Sequence, residues 1–223
     1  MKPWIAIAAA FVTAAALVSS AAGQADARQV GPLVRLFPHW QDYLDLPADE
    51  RSHFTLAYVI ASTRGVPAED INIWYESGGN ETGLALDSTG QVLNPPDLDT
   101  LASDPVAWIN QPQGGMSVSL SFQANLEMES EIARLDTLLA LEQANRAMRS
   151  VGGVASLFAP SFKTLIFVFE GPAPDAWAVT ADGRRTPLIV QESQAIYRPN
   201  DRDLREVDHL VFGRPPARIL IES

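Results

Sequence analysis

The 223-residue chain contains no cysteine. That one absence removes disulfides, thiolate nucleophiles and thiolate metal sites, and it closes the bacterial lipid-anchor route, which needs a cysteine at the cleavage site. Histidine is scarce too. His39, His53 and His209 are the three present, each in a different segment, whereas metal sites usually show closely spaced ligands. No G-x-S-x-G elbow, S-x-x-K set, H-E-x-x-H or phosphate-binding G-x-x-x-x-G-K-[ST] loop occurs. Positive charge is short: 16 Lys and Arg stand against 27 Asp and Glu, a net charge of −11. An acidic surface repels phosphate backbones and anionic headgroups, which argues against nucleic acid and against adhesion to anionic lipid.

One apolar run stands out. Met1-Lys2 gives a short positive end, Trp4 to Val18 is broken only by Thr13, and Ala22 or Ala25-Asp26-Ala27 supplies small residues for cleavage. This is the pattern of a secretory signal peptide, so residues 1–27 are expected to be removed, with the mature chain beginning at Arg28. The run is short for a span, since a transmembrane helix wants roughly 20 apolar residues. No stable span is therefore expected after cleavage, and the periplasm or full secretion is the expected location. About 195 remaining residues suffice for a core without staples.

From residue 28 onward the patterns are mixed. Residues 28–53 carry Val30, Leu33, Val34, Phe37 and Trp40 at helix-like spacing broken by Pro32 and Pro38, which reads as a short helical or irregular lead-in. Strands are expected at Phe54–Ala61, Ile71–Glu76 and Ser117–Asn125, the last with Val118, Leu120, Phe122 and Ala124 on its inner side. Thr164–Phe169 is apolar on both faces and belongs inside a sheet. Further strands are expected at Trp177–Thr180, Thr186–Val190, Leu210–Phe212 and Arg218–Ile221, with hairpin turns at Ser88-Thr89-Gly90 and Ala181-Asp182-Gly183-Arg184. Asn200 is the expected cap of a short helix.

One long helix is expected over about 127–151, on the spacing of Met128, Ile132, Leu135, Leu139, Ala144, Met148 and Val151, ending at Gly152-Gly153. Leu135 lies at the middle of that stripe, so a charge there would cost roughly 3–5 kcal/mol if the stripe is buried. The fold class is then α+β: mostly antiparallel sheet or sandwich, with one long amphipathic helix between β-rich halves at 28–126 and 152–223. Together the halves and the helix make one domain or two small ones. The halves share some punctuation, Tyr75-Glu76, Gly90 and Pro95 against Phe169-Glu170, Gly183 and Pro187. Hairpins in general share such marks, so this alone does not establish a duplication.

No catalytic residue, metal ligand or cofactor emerges from these patterns. Two acidic clusters, Asp97, Asp99 and Asp104, and Asp201, Asp203, Glu206 and Asp208, lack the glycine and terminal glutamate of a calcium loop. A carboxylate pair for glycoside hydrolysis would be diagnosed only by separation in space. Asn80-Glu81-Thr82 matches a glycosylation sequon, which carries little meaning in a bacterial host.

The residue that points outward is Trp74. In its strand Ile71, Ile73 and Tyr75 share one face, and Trp74 lies on the other between Asn72 and Glu76. A ring flanked by hydrogen-bonding side chains is how a sheet offers a platform, although packing beneath another element is the commoner fate of tryptophan. Trp74, Asn72 and Glu76 are thus the candidate binding residues. The leading expectation is a non-enzymatic binding or accessory protein that contacts a protein or an envelope polymer. A carrier with an apolar cavity between helix and sheet, and a hydrolase built from scattered residues, are the alternatives.

Overall fold

A computed structural model describes residues 27–151 and 161–223. The expected signal peptide, Ala27 apart, and the Gly152-Gly153 stop lie outside the described residues. In chain order the first half contains β1 (Arg28–Pro32), α1 (Trp40–Leu44), β2 (Phe54–Ser62), β3 (Ile73–Ser77), β4 (Asn80–Gly83), α2 (Leu98–Ala102), β5 (Val106–Ile109) and β6 (Met116–Ala124). The second contains β7 (Glu131–Ala133), α3 (Arg134–Val151), β8 (Thr164–Val168), β9 (Ala176–Thr180), β10 (Arg185–Pro187), β11 (Ile189–Gln191), β12 (Gln194–Tyr197), β13 (Val207–Phe212) and β14 (Arg218–Glu222). This is an α+β fold, mostly antiparallel sheet with one long helix. Among the described residues no helix is long and apolar enough to cross a membrane.

The strands form two small sheets, ordered β1-β5-β3-β4 and β7-β13-β9-β10, and a larger one ordered β11-β12-β8-β14-β6-β2. Read by position within each half, the two small sheets have the same order. The larger sheet is a palindrome. Beyond β2, the bridges Val59↔Gln91 and Leu86↔Val92 add a short ribbon that matches β12 and β11 beyond β8.

Registers agree as well as orders. Val59↔Gln91 corresponds to Val168↔Gln194. The Leu84 N–H donates to Ile73 O at 2.8 Å as Leu188 does to Ala176 O at 2.9 Å, and Asn110 donates to Asn72 O at 3.1 Å as Gly213 does to Asp175 O at 3.0 Å. Two copies of one topology therefore meet where β6 pairs antiparallel with β14 at Leu220↔Gln123 and Ile221↔Phe122. The shared punctuation in the sequence pointed to the wrong alignment of a real doubling. Trp74 matches Trp177, and Gly90 matches Ser193 rather than Gly183. Gly90 and Gly183 resemble each other because each turns its own hairpin at positive φ.

Buried side chains from both halves form one cluster. An aromatic series runs through the first half into α3's neighbourhood: Trp40 stacks on Tyr43 at 5.0 Å, Tyr43 meets Phe54 at 5.4 Å, Phe54 stacks on Phe122 at 6.0 Å, and Phe122 meets Phe162 at 4.6 Å. Gln143, buried on α3, ties the helix to the segment before β2 through the His53 N–H at 2.8 Å, Asp49 O at 2.9 Å and Ser52 Oγ at 3.0 Å.

Several expectations are corrected. The lead-in segment begins as strand β1 and only then turns to short helical pieces, a 3-10 turn at Leu33–Leu36, α1 and a 3-10 turn at Ala48–Arg51. The long helix starts at Arg134, because Glu131–Ala133 is drawn into β7, where Ile132 faces Leu210. Its buried stripe is Thr137, Ala140, Leu141, Ala144 and Ala147, while Leu135 is 64% exposed and Met128 is exposed ahead of it. Small residues every three or four positions let the helix approach the strands closely, and that contact sets its phase in place of the larger leucines. Thr186–Val190 is not one strand. The chain switches sheets at buried Leu188, leaving β10 and β11 on either side. Asn200 is not the cap: the short helix is a 3-10 turn at Arg202–Leu204 that follows Asp201, whose side chain makes no capping hydrogen bond.

Candidate functional site

β3 lies between β5 and β4, and its alternation determines which side chains leave the core. Ile71, Ile73 and Tyr75 are buried, Asn72 and Glu76 are exposed, and Trp74 is half-buried. The register sets Trp74 opposite Trp108 of β5 on one side and opposite Gly83 of β4 on the other. Trp108 in turn faces Gln29 of β1. One row, Gln29-Trp108-Trp74-Gly83, thus crosses the whole small sheet on the face opposite Ile73 and Ile109.

Directly opposed residues of antiparallel strands have Cβ atoms about 4.5–5.5 Å apart, so the two tryptophans are cross-strand neighbours. Gly83, on the other side of Trp74, adds no side chain to the row. Trp40 shows what a packed indole does in this protein: it is buried and donates to Pro96 O at 2.7 Å. Trp74 and Trp108 are half-buried, and among the described residues neither indole N–H has a hydrogen-bond partner.

Polar groups border the pair on both sides. Toward one end, Asn72 lies beside Asn110, whose Oδ1 accepts from the Asn72 N–H at 3.0 Å and whose Nδ2 donates to Asp70 O at 2.7 Å. Toward the other, Glu76 faces Glu81, both exposed. The β3–β4 connection is a two-residue turn, Gly78-Gly79, with φ of 59° and 78°, the left-handed pair that tight hairpins require. It fixes the register that places Trp74 against Gly83.

The three sequence-selected residues, Trp74, Asn72 and Glu76, therefore share one face of one strand. Trp108 was missed. The available signal was the short β-favouring run Val106-Ala107-Trp108-Ile109, but four residues are too few for alternation to identify an outer face.

A second place gathers groups from distant segments. A cleft of about 720 Å³ beside β7 and β13 is lined by His53, Glu131, Asp136, Asp208 and His209, among others. The His209 imidazole has Nδ1 3.0 Å from Asp208 Oδ2 and Nε2 3.8 Å from Glu131 Oε1. The other charged groups of the wall are acidic, Glu127, Glu129 and Asp136. Among the described residues no three acidic or histidine side chains are placed to hold a metal ion.

Comparison with known protein families, curated proteins and solved structures finds no match to this chain.

Proposed function

We propose that the chain is an exported, non-enzymatic binding protein of the bacterial periplasm or cell envelope, and that it holds a saccharide chain of the envelope against the outer face of the β1-β5-β3-β4 sheet. The observation that carries this reading is the in-register pair Trp74 and Trp108, half-buried and bordered by the exposed Asn72, Glu76 and Gln29. Indole faces are electron-rich, and the C–H face of a pyranose is the complementary surface. Hydroxyls around the sugar ring need donors and acceptors at the rim, which amides and carboxylates supply. A peptide would more naturally add to a strand edge. This platform sits on the two central strands of its sheet, which favours the saccharide.

The test is retention of the purified protein on insoluble peptidoglycan, chitin and cellulose. The parent is expected to be retained on at least one of them. Trp74→Ala and Trp108→Ala are each expected to weaken retention about tenfold or more, equivalent to about 1.4 kcal/mol, while leaving the melting temperature close to that of the parent. Absence of retention on all three polymers, or a double variant retained as well as the parent, would overturn the reading.

Export is supported by the charged, apolar and small-residue order of residues 1–27. Either cleavage position precedes β1, which begins at Arg28, so processing leaves every strand intact. N-terminal sequencing of protein from its own host is expected to read from Arg28. A mature start at Met1 would overturn export without touching the platform.

A further inference from the structure

On the other side of the first half, α1, the inner face of β2 and β6, and the last turns of α3 leave space between them. The cavity holds about 310 Å³ and its walls are apolar, with Tyr43, Phe54, Leu56, Phe122, Ala147 and Met148 among them. That volume lies in the range of small-ligand pockets, and so does the predominance of aromatic and aliphatic walls. Leu120, Phe122 and Met148 also line a second groove, which runs past Phe162 to Ile221 and Glu222 over β6 and β14. Asn145 fixes Phe162 at this junction, accepting from its N–H at 2.8 Å and donating to its carbonyl at 3.0 Å.

We propose that this track binds an uncharged lipid with a single unbranched alkyl chain. The two spaces adjoin at three shared residues, Leu120, Phe122 and Met148, an arrangement that suits an elongated ligand reaching from one into the other better than a compact ring system. The walls of the inner space carry no charged side chain apart from the rim, where His39 lies 3.2 Å from Asp42. The far end is acidic at Glu222, and the whole chain has a net charge of −11. At the far end a fatty acid would bring its carboxylate against Glu222, whereas an alcohol or a glycerol ester would not. Filled at the packing density of a protein interior, the inner space takes a chain of roughly ten carbons.

This site is separate from the tryptophan platform, so either can fail without the other. The experiment uses the whole mature chain with decan-1-ol as ligand and decanoate as the charged control. Binding is followed by native mass spectrometry and by displacement of the apolar dye N-phenyl-1-naphthylamine. One decanol per chain is expected, with decanoate at least tenfold weaker. Ala147→Phe fills the inner space, and Leu120→Glu places a carboxylate where the two spaces join. Each is expected to weaken decanol binding at least tenfold, and Trp74→Ala is expected to leave it unchanged. No decanol binding by the parent, undiminished binding by whichever of the two cavity variants is folded, or equal binding of decanoate would overturn the proposal.

Discussion

Gly90 occupies a position that admits no other residue. It has a φ of +83°, and a Cβ there would run into the Ile60 carbonyl oxygen, while its own carbonyl accepts from the Ile60 N–H at 2.8 Å. Gly90→Ala is therefore expected to destabilise the protein by at least about 2 kcal/mol, read from chemical denaturation. Two helix positions make a sharper contrast. Leu135→Gln is expected to change stability by no more than about 0.5 kcal/mol, because the side chain already meets solvent. Ala144→Leu is expected to cost about 1–3 kcal/mol, because the residue is fully buried on the core face of the helix. Sequence periodicity ranked these two the other way. It weights large apolar residues, and the close approach of a helix to a sheet selects small ones. On β3 the same kind of reasoning succeeded, since a period of two leaves only two faces to choose between and Ile71, Ile73 and Tyr75 determine which is inner.

Turns show what a local element contributes and when. Asp87 opens the turn before Gln91. Burial pushes its carboxyl up, but hydrogen bonds from the Thr89 hydroxyl and the backbone N–H groups of Gln91 and Thr89, with Arg218 nearby, outweigh that and hold it below the usual carboxylate range. Asp182 is also held low, first by the Thr180 hydroxyl and then by the Arg184 backbone. For a carboxylate lowered in the folded state, the stabilisation is complete above the unfolded value and disappears as pH falls through the folded one. Asp87→Ala is accordingly expected to lower the melting temperature at neutral pH. The gap to the parent should narrow as the solution is acidified through and below the carboxylate range, and a gap independent of pH would contradict this origin. Both turns were readable from their residues. β4 was not, because Asn80-Glu81-Thr82-Gly83 has little intrinsic strand preference and becomes a strand only by pairing with β3. β12 and β7 are also short strands defined by their partners in space. The candidate platform was half readable for the same reason: Trp74 could be oriented from its own strand, and its neighbour Trp108 only from the pairing.

At the scale of the whole molecule, β6 and β14 come from different halves and lie next to each other inside one sheet. Far-ultraviolet circular dichroism and tryptophan fluorescence are expected to report one coincident unfolding transition, because the larger sheet and the buried core draw on both halves. The same doubling bears on binding stoichiometry. In the second small sheet Trp177 faces Val211, and Val211 faces Glu131, in the places that Trp74, Trp108 and Gln29 hold in the first. Val211 is half-buried on that outer face. One substitution, Val211→Trp, recreates the missing ring. If the tryptophan pair is the ligand platform, this variant becomes a bivalent protein. It would carry a second site in a fixed geometry, and its hold on a long polymer would rise through effective concentration, by up to about 10²–10⁴ when both sites engage one chain. Short oligosaccharides, which reach only one site, would bind each face independently. A rise in avidity for polymer without a matching rise for oligomer would be the signature of a scaffold that has one working face and the framework for two.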